Sequence, residues 1–493
     1  MASVIAPLLR RSLRGLATSL PTRARPGRLP PLTTRPKCFQ ASFSIVVACR
    51  PTASASQGKT KRDVRSRRLF NTDVAVGGSG RKPPSFAFAF DIDGVLLHVA
   101  KPIPGATEVL KFLNDYNIPF ILLTNGGGKH ETDRVRDLSE RLGVELSTDN
   151  FVQSHTPFQE LLDGPDGLRD KTVLVTGSDY EKCRAIFKAY GFKNVITPAD
   201  IYAANPTVFP FQHPSTFTTP TLPLPKPLYN LPPTSNPNPN PTTLPSHLKI
   251  DAIFVLNDPR DWALDLQILT DLLLSHNGYV GTYSPRNGNG DPAVLGPNYG
   301  WQTDGQPPLY FSNADLLWSA GYHLPRLGQG AFQAALVGLW ARLTGGAELK
   351  RRCIGKPQGE TYRFAERVLG RHRRGVLRVM AAEKTDGVDK EGEAGDNVAA
   401  LERVYMVGDN PESDIAGANG YESENGTDWV SVLVRTGVWS EGRSGKLEGV
   451  FEPKVVVDDV MAAVKWALRK EGEGHVVSTK TAELKANISR CAK

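Results

Sequence analysis

Two aspartates one residue apart, Asp91 and Asp93, follow the apolar run Phe86-Ala87-Phe88-Ala89-Phe90 and precede Gly94. Alternate residues of an extended strand point the same way. A chain that leaves the strand after Asp91 and turns at Gly94 can therefore aim both carboxylates at one site on a sheet edge. Aspartate is a poor strand former, so the pair needs a reason; Asp and Gly are also turn residues, and a plain turn is the alternative. Three more stretches share the form of an apolar run or loop ending in polar groups. They are Phe120-Ile121-Leu122-Leu123-Thr124-Asn125-Gly126-Gly127-Gly128, Cys353-Ile354-Gly355-Lys356-Pro357, and Val404-Tyr405-Met406-Val407-Gly408 leading to Asp409 and Asp414. Carboxylates, a hydroxyl and a lysine are thus each delivered to the end of an element.

Taken in this order, the four motifs resemble the haloacid dehalogenase superfamily, most of whose members are phosphatases. The long stretch between the second and third motifs is similar to subfamily IIA, which carries a large inserted α/β cap. Thr-Asn-Gly-Gly at 124–127, Ser-Asn-Ala-Asp at 312–315, Gly-Lys-Pro at 355–357 and the Gly408–Ile415 run resemble the eukaryotic cat eye syndrome critical region protein 5 family. The resemblance covers Phe86 to Leu468, apart from a Pro-rich and an acidic insert.

It implies a phosphatase whose chemistry is positioning and charge neutralisation around a phosphoryl group. Asp91 is then the nucleophile that forms an aspartyl-phosphate, and Asp93 the general acid and base. Asp91, the backbone carbonyl of Asp93 and Asp409 hold one Mg²⁺, a hard cation that favours oxygen ligands. Thr124 and Lys356 act on the phosphoryl oxygens, Asn125 and Gly126 offer phosphate contacts, and Asp414 orients Lys356 or a water from outside the ligand set. Each has a plainer reading: Thr124 as a strand-terminal cap, the glycines as a turn, Lys356 as a surface lysine, Asp414 as a helix N-cap. Asn257, Asn313 and Asp315 lie near strand ends of the cap, and nothing in the sequence aims their side chains. His98 and His323 read as structural or surface residues.

The elements that must position these groups alternate between strand and helix, which predicts an α/β fold with a doubly wound, Rossmann-like parallel sheet and chemistry at the carboxyl ends of its strands. Helices are expected from Ala106 to Asn114, Glu131 to Leu142, Tyr180 to Tyr190, Ala263 to Leu274, Gly330 to Thr344, Gly359 to about Leu369, and Asp459 to Leu468, the last capped by Asp458. The domain reading is a presequence at 1–70, a core at 83–167, a cap at 168–349, the second part of the core at 350–470 and a polar tail at 471–493. Residues 205–246 are proline-dense and cannot maintain strand or helix hydrogen bonding, so they read as a disordered insert. Residues 382–397 read as a charged loop.

The chain has 493 residues and a formal charge of +8, which is misleading. Residues 1–70 hold 12 Arg and 3 Lys against Asp63 alone, a formal +14, which leaves residues 71–493 at −6. The basic character belongs to the N-terminus, and the remainder gives no reason to expect nucleic acid. That N-terminus lacks acidic residues up to Arg62 and alternates apolar and basic positions, the composition of a mitochondrial transit peptide, and the matrix is the expected compartment. No apolar run approaches the ~20 residues of a membrane helix. The five cysteines show no metal or redox spacing. The partner expected is a small phosphorylated substrate, with a glycerophospholipid link implied by family association; homo-oligomers through the cap stay open. The rival from another class is a mitochondrial interaction protein that keeps the fold without turnover.

Overall fold

The computed structural model describes residues 84–230, 242–289, 291, 298–318, 320–382, 400–442 and 446–472. Strand β1, Phe86–Phe90, is buried along its whole length. Because side chains alternate, Phe88 and Phe90 enter one apolar layer with Val109, Leu110, Leu113 and Val464. Ala87 and Ala89 enter the opposite layer with Tyr362, Ala365 and Leu369. A strand apolar on both faces is what a parallel sheet between two helical layers demands. The alanines also leave room for a helix bearing Tyr362 to lie close.

After β1 come α1 (Ala106–Asp115), β2 (Phe120–Thr124), α2 (Glu131–Leu142) and β3 (Phe151–Gln153). The chain then builds a second sheet from β4 (Thr172–Thr176), α3 (Tyr180–Tyr190), β5 (Asn194–Ile196), β6 (Ala252–Val255), α4 (Trp262–Leu274), β7 (Leu309–Phe311), α5 (Gln329–Thr344) and β8 (Arg352–Cys353). It returns through α6 (Gly359–Ala382), β9 (Arg403–Gly408), β10 (Asp428–Val434), β11 (Val455–Val457) and α7 (Val460–Lys470). The first sheet runs β11-β10-β9-β1-β2-β3 and the second β8-β7-β6-β4-β5. All their pairings are parallel. The fold is the α/β arrangement expected, with one sheet inserted in the course of the other.

Several boundaries differ from the sequence reading, each for a physical reason. Arg352 and Cys353 pair with Tyr310 and Phe311, and the Ile354 N–H still donates to the Phe311 carbonyl, so the inserted sheet extends past the 349/350 boundary. Helix α6 continues to Ala382, well beyond Leu369. The last helix is capped by Asp459, whose carboxylate accepts from the Ala462 N–H, while Asp458 pairs with Arg435. The edge strand β11 was not anticipated; it is three valines, too short to show a period.

The described flanks of the Pro-rich segment are also not loose. Residues 205–230 and 242–246 form only short 3₁₀ turns, as proline dictates, but Phe209, Tyr229 and Leu244 are buried. Phe217, Leu224 and Leu228 pack against the same cluster as Ile253 and Leu269. Apolar side chains between the prolines hold the flanks down without regular hydrogen bonding. The centre of that segment, the presequence, and nearly all of the charged loop and of the polar tail lie outside the described residues.

In the inserted domain Asp265 is fully buried, its Oδ1 accepting from Thr176 at 2.6 Å and Tyr180 at 2.9 Å. Burial dominates and pushes its carboxyl up to about 7. The folded state therefore holds a proton that the unfolded chain releases near pH 4. The stabilisation is complete below that pH and is lost as pH rises through about 7. Asp265→Asn cannot titrate, so the wild-type chain should lose roughly 2–4 kcal/mol relative to D265N between pH 4 and pH 8. Thermal melting at a series of pH values checks this, and parallel curves for the two proteins would sink it.

Candidate active site

The carboxyl ends of β1, β2 and β9 lie side by side, since Phe90 is in register with Leu122 on one side and Val407 on the other. Asp91 thus leaves the central strand between the Thr124 and Asp409 ends, its N–H donating to the Val407 carbonyl at 2.9 Å. Lys356 enters from the second sheet, three residues beyond β8, the partner strand of β7. It is 1% exposed, and its Nζ lies 2.6 Å from Asp414 Oδ1, 2.9 Å from Asp91 Oδ1 and 2.9 Å from the Leu123 carbonyl. Burial alone would lower the ammonium's pKa, but Asp414 and then Asp91 outweigh it and hold it above the ordinary lysine value. Lys356 is a buried cation, not a surface lysine.

After Asp409 the chain winds through one wide π-type turn, Pro411–Ile415, a deviation common at functional sites. The turn folds Asp414 back so that its Oδ2 accepts from the N–H groups of Asp409 and Asn410, at 3.1 and 3.0 Å. Gly408 makes room: a Cβ there would meet the Asp414 side chain at 2.2 Å. Asp414 therefore ties its own loop and aims Lys356, and does not cap a following helix.

Asp409 is 2% exposed, and its Oδ2 accepts from the Val438 N–H at 2.6 Å. Burial first, then Asp91 and Asp414, push its carboxyl well above the usual range. One oxygen from each of Asp91, Asp409 and Asp414 lies within 4.8 Å of the others. Three crowded carboxylates against one ammonium leave excess negative charge in the interior. Asp91 Oδ1 faces Lys356 without the alignment of a hydrogen bond and has no other donor among the described residues. This donor set fits a hard divalent cation such as Mg²⁺. Since both Asp414 oxygens are engaged, Asp91 and Asp409 are the side chains available to hold the ion.

Asp93 is placed differently. Its side chain is 51% exposed and lies 4.0 Å from Arg134. Desolvation between the cleft walls and the Asp91 charge nevertheless raise its carboxyl, against the pull of Arg134 and Lys356. A Cβ on Gly126 would lie 3.3 Å from Thr124 Oγ1 and 3.7 Å from Asp93 Oδ2, which puts both groups around the glycine loop. Thr124 Oγ1 accepts the Gly126 N–H at 3.0 Å, leaving its own proton to donate.

The Asn125 side chain joins the two parts of the site. Its amide donates to the Lys356 carbonyl at 2.9 Å and to Asp315 Oδ1 at 3.1 Å, and its oxygen accepts the Lys356 N–H at 2.8 Å. Asn313 reaches the Asn125 carbonyl at 3.3 Å. Both cap residues are thus aimed at the core, and burial pushes the Asp315 carboxyl up to about 7. Asn257 instead bonds Ser178, on its own sheet. His98 and His323 are exposed. Arg134 and the Gly437-Val438 turn around Asp409 were missed by the sequence reading. Arg134 is one of three arginines on an amphipathic helix, and no local signal distinguishes it.

Residues 88–193 match the family described as haloacid dehalogenase-like hydrolase, and residues 353–463 match one described as HAD-hydrolase-like. The cardiolipin synthase (CMP-forming) / mitochondrial hydrolase fusion protein of Schizosaccharomyces pombe is 38% identical over 385 residues, which is 78% of this chain. The chain spans about half of that relative's length, 53%. Mitochondrial hydrolase YKR070W of Saccharomyces cerevisiae is 36% identical over 387 residues, 78% of this chain and 96% of that protein. Among solved structures, the hypothetical protein PH1952 of Pyrococcus horikoshii aligns with a TM-score of 0.44 at 19% identity, over 78% of this chain and 99% of that one.

The carboxylate cluster yields a test independent of turnover. Binding that favours the folded state stabilises it by mass action, so millimolar Mg²⁺ should raise the melting temperature of the wild-type chain. Asp409→Asn should lose most of that increment. An equal rise in the variant would place the ion elsewhere.

Proposed function

The chain belongs to the haloacid dehalogenase-like hydrolases, and from that membership we propose that it hydrolyses phosphate monoesters of small metabolites through an aspartyl-phosphate. The observation that supports this most is the buried ammonium of Lys356 between Asp91 and Asp414, beside Asp409 and Thr124. Such a cluster is suited to an anionic group that brings its own charge, and phosphoryl transfer is a matter of positioning and electrostatic compensation.

In this mechanism a carboxylate oxygen of Asp91 attacks phosphorus as the bond to the ester oxygen breaks. Asp93 gives that oxygen its proton, so the alcohol departs neutral. Asp93 then takes a proton from water as the water oxygen attacks phosphorus, the Asp91–phosphorus bond breaks, and inorganic phosphate leaves with Asp91 restored. The carboxyl of Asp93, raised by desolvation and by Asp91, suits a group that gives and takes a proton. Lys356 and the Thr124 hydroxyl compensate charge on the phosphoryl oxygens. A Mg²⁺ ion held by Asp91, Asp409 and the Asp93 carbonyl would supply further positive charge there. The inserted domain, as the cap, would cover the site and provide the substrate contacts, with Asp315 at its edge.

The substrate class we favour is a glycerophosphate or a phospholipid head group. Support comes from the fission yeast relative, in whose name a mitochondrial hydrolase is joined to cardiolipin synthase. Both curated relatives are called mitochondrial, in keeping with the basic N-terminus, and the matrix is the compartment we propose.

The test is phosphate release by the full chain from a panel of glycerol phosphates, phosphorylated phospholipid head groups, sugar phosphates and nucleotides, with Mg²⁺ or a chelator. Release should require Mg²⁺, be highest on the glycerol-based esters, and fall to background in Asp91→Asn. Silence of the folded, Mg²⁺-loaded protein across the panel would favour an interaction protein. Preference for nucleotides or sugars would move the substrate class.

A further inference from the structure

Behind the glycine loop lies a buried polar chain that the mechanism does not use. The Gly128 N–H donates to His155 Nε2 at 3.3 Å. A backbone N–H can only donate, so that ring nitrogen accepts, and a neutral imidazole must then carry its proton on Nδ1. That proton points to the Tyr190 hydroxyl, 2.7 Å away. Tyr190 in turn donates to Glu131 Oε1 at 2.5 Å, which also accepts from Thr156 at 2.7 Å. Every link has one direction, from the loop after β2 to the carboxylate at the start of α2.

None of the side chains is more than 9% exposed, and His155 is fully buried. Burial lowers the His155 imidazole to about 4, so it is neutral at physiological pH and the direction of the chain persists. Burial raises the Glu131 carboxyl, but the hydrogen bonds from Tyr190 and Thr156 act against it, and its carboxyl lies below the ordinary value. Glu131 is therefore an ionised acceptor, and charge-assisted hydrogen bonds in a dry interior are strong and orienting. The loop also rests directly on the ring: a Cβ on Gly127 would lie 2.8 Å from His155 Cδ2.

The four elements joined are not equivalent. The glycine loop, Glu131 and His155 belong to the first sheet, whereas Tyr190 ends α3 of the inserted domain, where it packs against Phe187. The Gly126 N–H is bonded to Thr124 Oγ1, so displacement of the loop is passed to that hydroxyl. We infer that Tyr190 is a positioning residue through which the cap sets the glycine loop and Thr124 for the phosphoryl group, by way of His155 and Glu131. This rests on the phosphatase reading for its kinetic consequence, but not for the loop itself. A contact needed only to hold the domains together would serve equally well with apolar residues, as it does around Phe158 and Phe254.

Tyr190→Phe keeps the ring and removes the hydroxyl that both accepts from His155 and donates to Glu131. It is expected to leave the melting temperature within a few degrees. The loss should appear as roughly a tenfold fall in kcat with little change in KM, since misplacing a transition-state contact acts on kcat. Glu131→Gln retains an oxygen that accepts from Tyr190 and should lose distinctly less. The double variant should be no worse than Y190F alone, as for two members of one chain. Hydrogen exchange over residues 125–129 should quicken in Y190F and less so in E131Q. Wild-type kinetics and exchange in Y190F would overturn the inference, as would E131Q being as impaired as Y190F. If the wild-type chain releases no phosphate, the phosphatase reading fails instead, and the exchange of the loop decides this inference alone.

Discussion

A lysine ammonium is held in a dry interior by two carboxylates, and the rest of the site depends on that placement. Taking an ion out of water costs several kcal/mol even after relaxation, and only close, well-made partners return it. Lys356 meets the condition with Asp414, Asp91 and the Leu123 carbonyl, all within 3 Å. The partners come from three different strand ends, so a small shift of any one would leave a buried charge without compensation. The rigidity of the sheet edge is thus an electrostatic requirement as much as a packing outcome. The apolar stacking of β1 between two helical layers is the means by which the requirement is met.

The lysine must also arrive from elsewhere. It lies on the segment that leaves the second sheet, and the chain from Thr172 to Cys353 builds that other domain. Asn125 solves the joining problem with one amide, which holds the Lys356 backbone from both sides and reaches Asp315. The side chain of a residue expected to offer its backbone N–H to phosphate is a clamp between the loop after β2 and the chain's return. The clamp and the chain through Tyr190 sit on the two connections between the domains, one at the way back and one near the way out. Both end on the loop that carries Thr124.

What could be read from the sequence follows from how local the causes are. The fold was legible because burial on both faces of a strand is written in neighbouring residues: Phe86–Phe90 needs no distant partner. The four motif segments were legible because their residue types are improbable at strand ends for reasons of packing alone. The roles of Asn125, Asp315 and Arg134 were not, since each is defined by a partner far along the chain. Asn125 and Lys356 are separated by 231 positions. The flanks of the Pro-rich segment failed for a related reason. Proline content reports correctly that no ladder can form, but it says nothing of whether Phe209 or Tyr229 finds an apolar surface.

The division of labour between Asp91 and Asp93 shows how little sequence separates two kinds of acid. Both leave the same strand, yet one ends against a buried ammonium and the other in a half-open cleft facing Arg134. The backbone between and after them makes the difference. Gly94 adopts a φ of +89°, and a Cβ there would fall 2.4 Å from Asp409 Oδ2. A residue with a side chain would be strained in that conformation and would also collide with the third carboxylate. Only glycine lets the chain swing away immediately after Asp93, so that Asp91 stays within the carboxylate cluster while Asp93 is turned out of it. The acid inside the cluster faces the Lys356 ammonium at 2.9 Å. An acid at its margin, raised by desolvation and by its neighbour's charge, is suited to keep a proton. Two acids with one residue between them thus receive different surroundings, and the division follows from a single backbone turn.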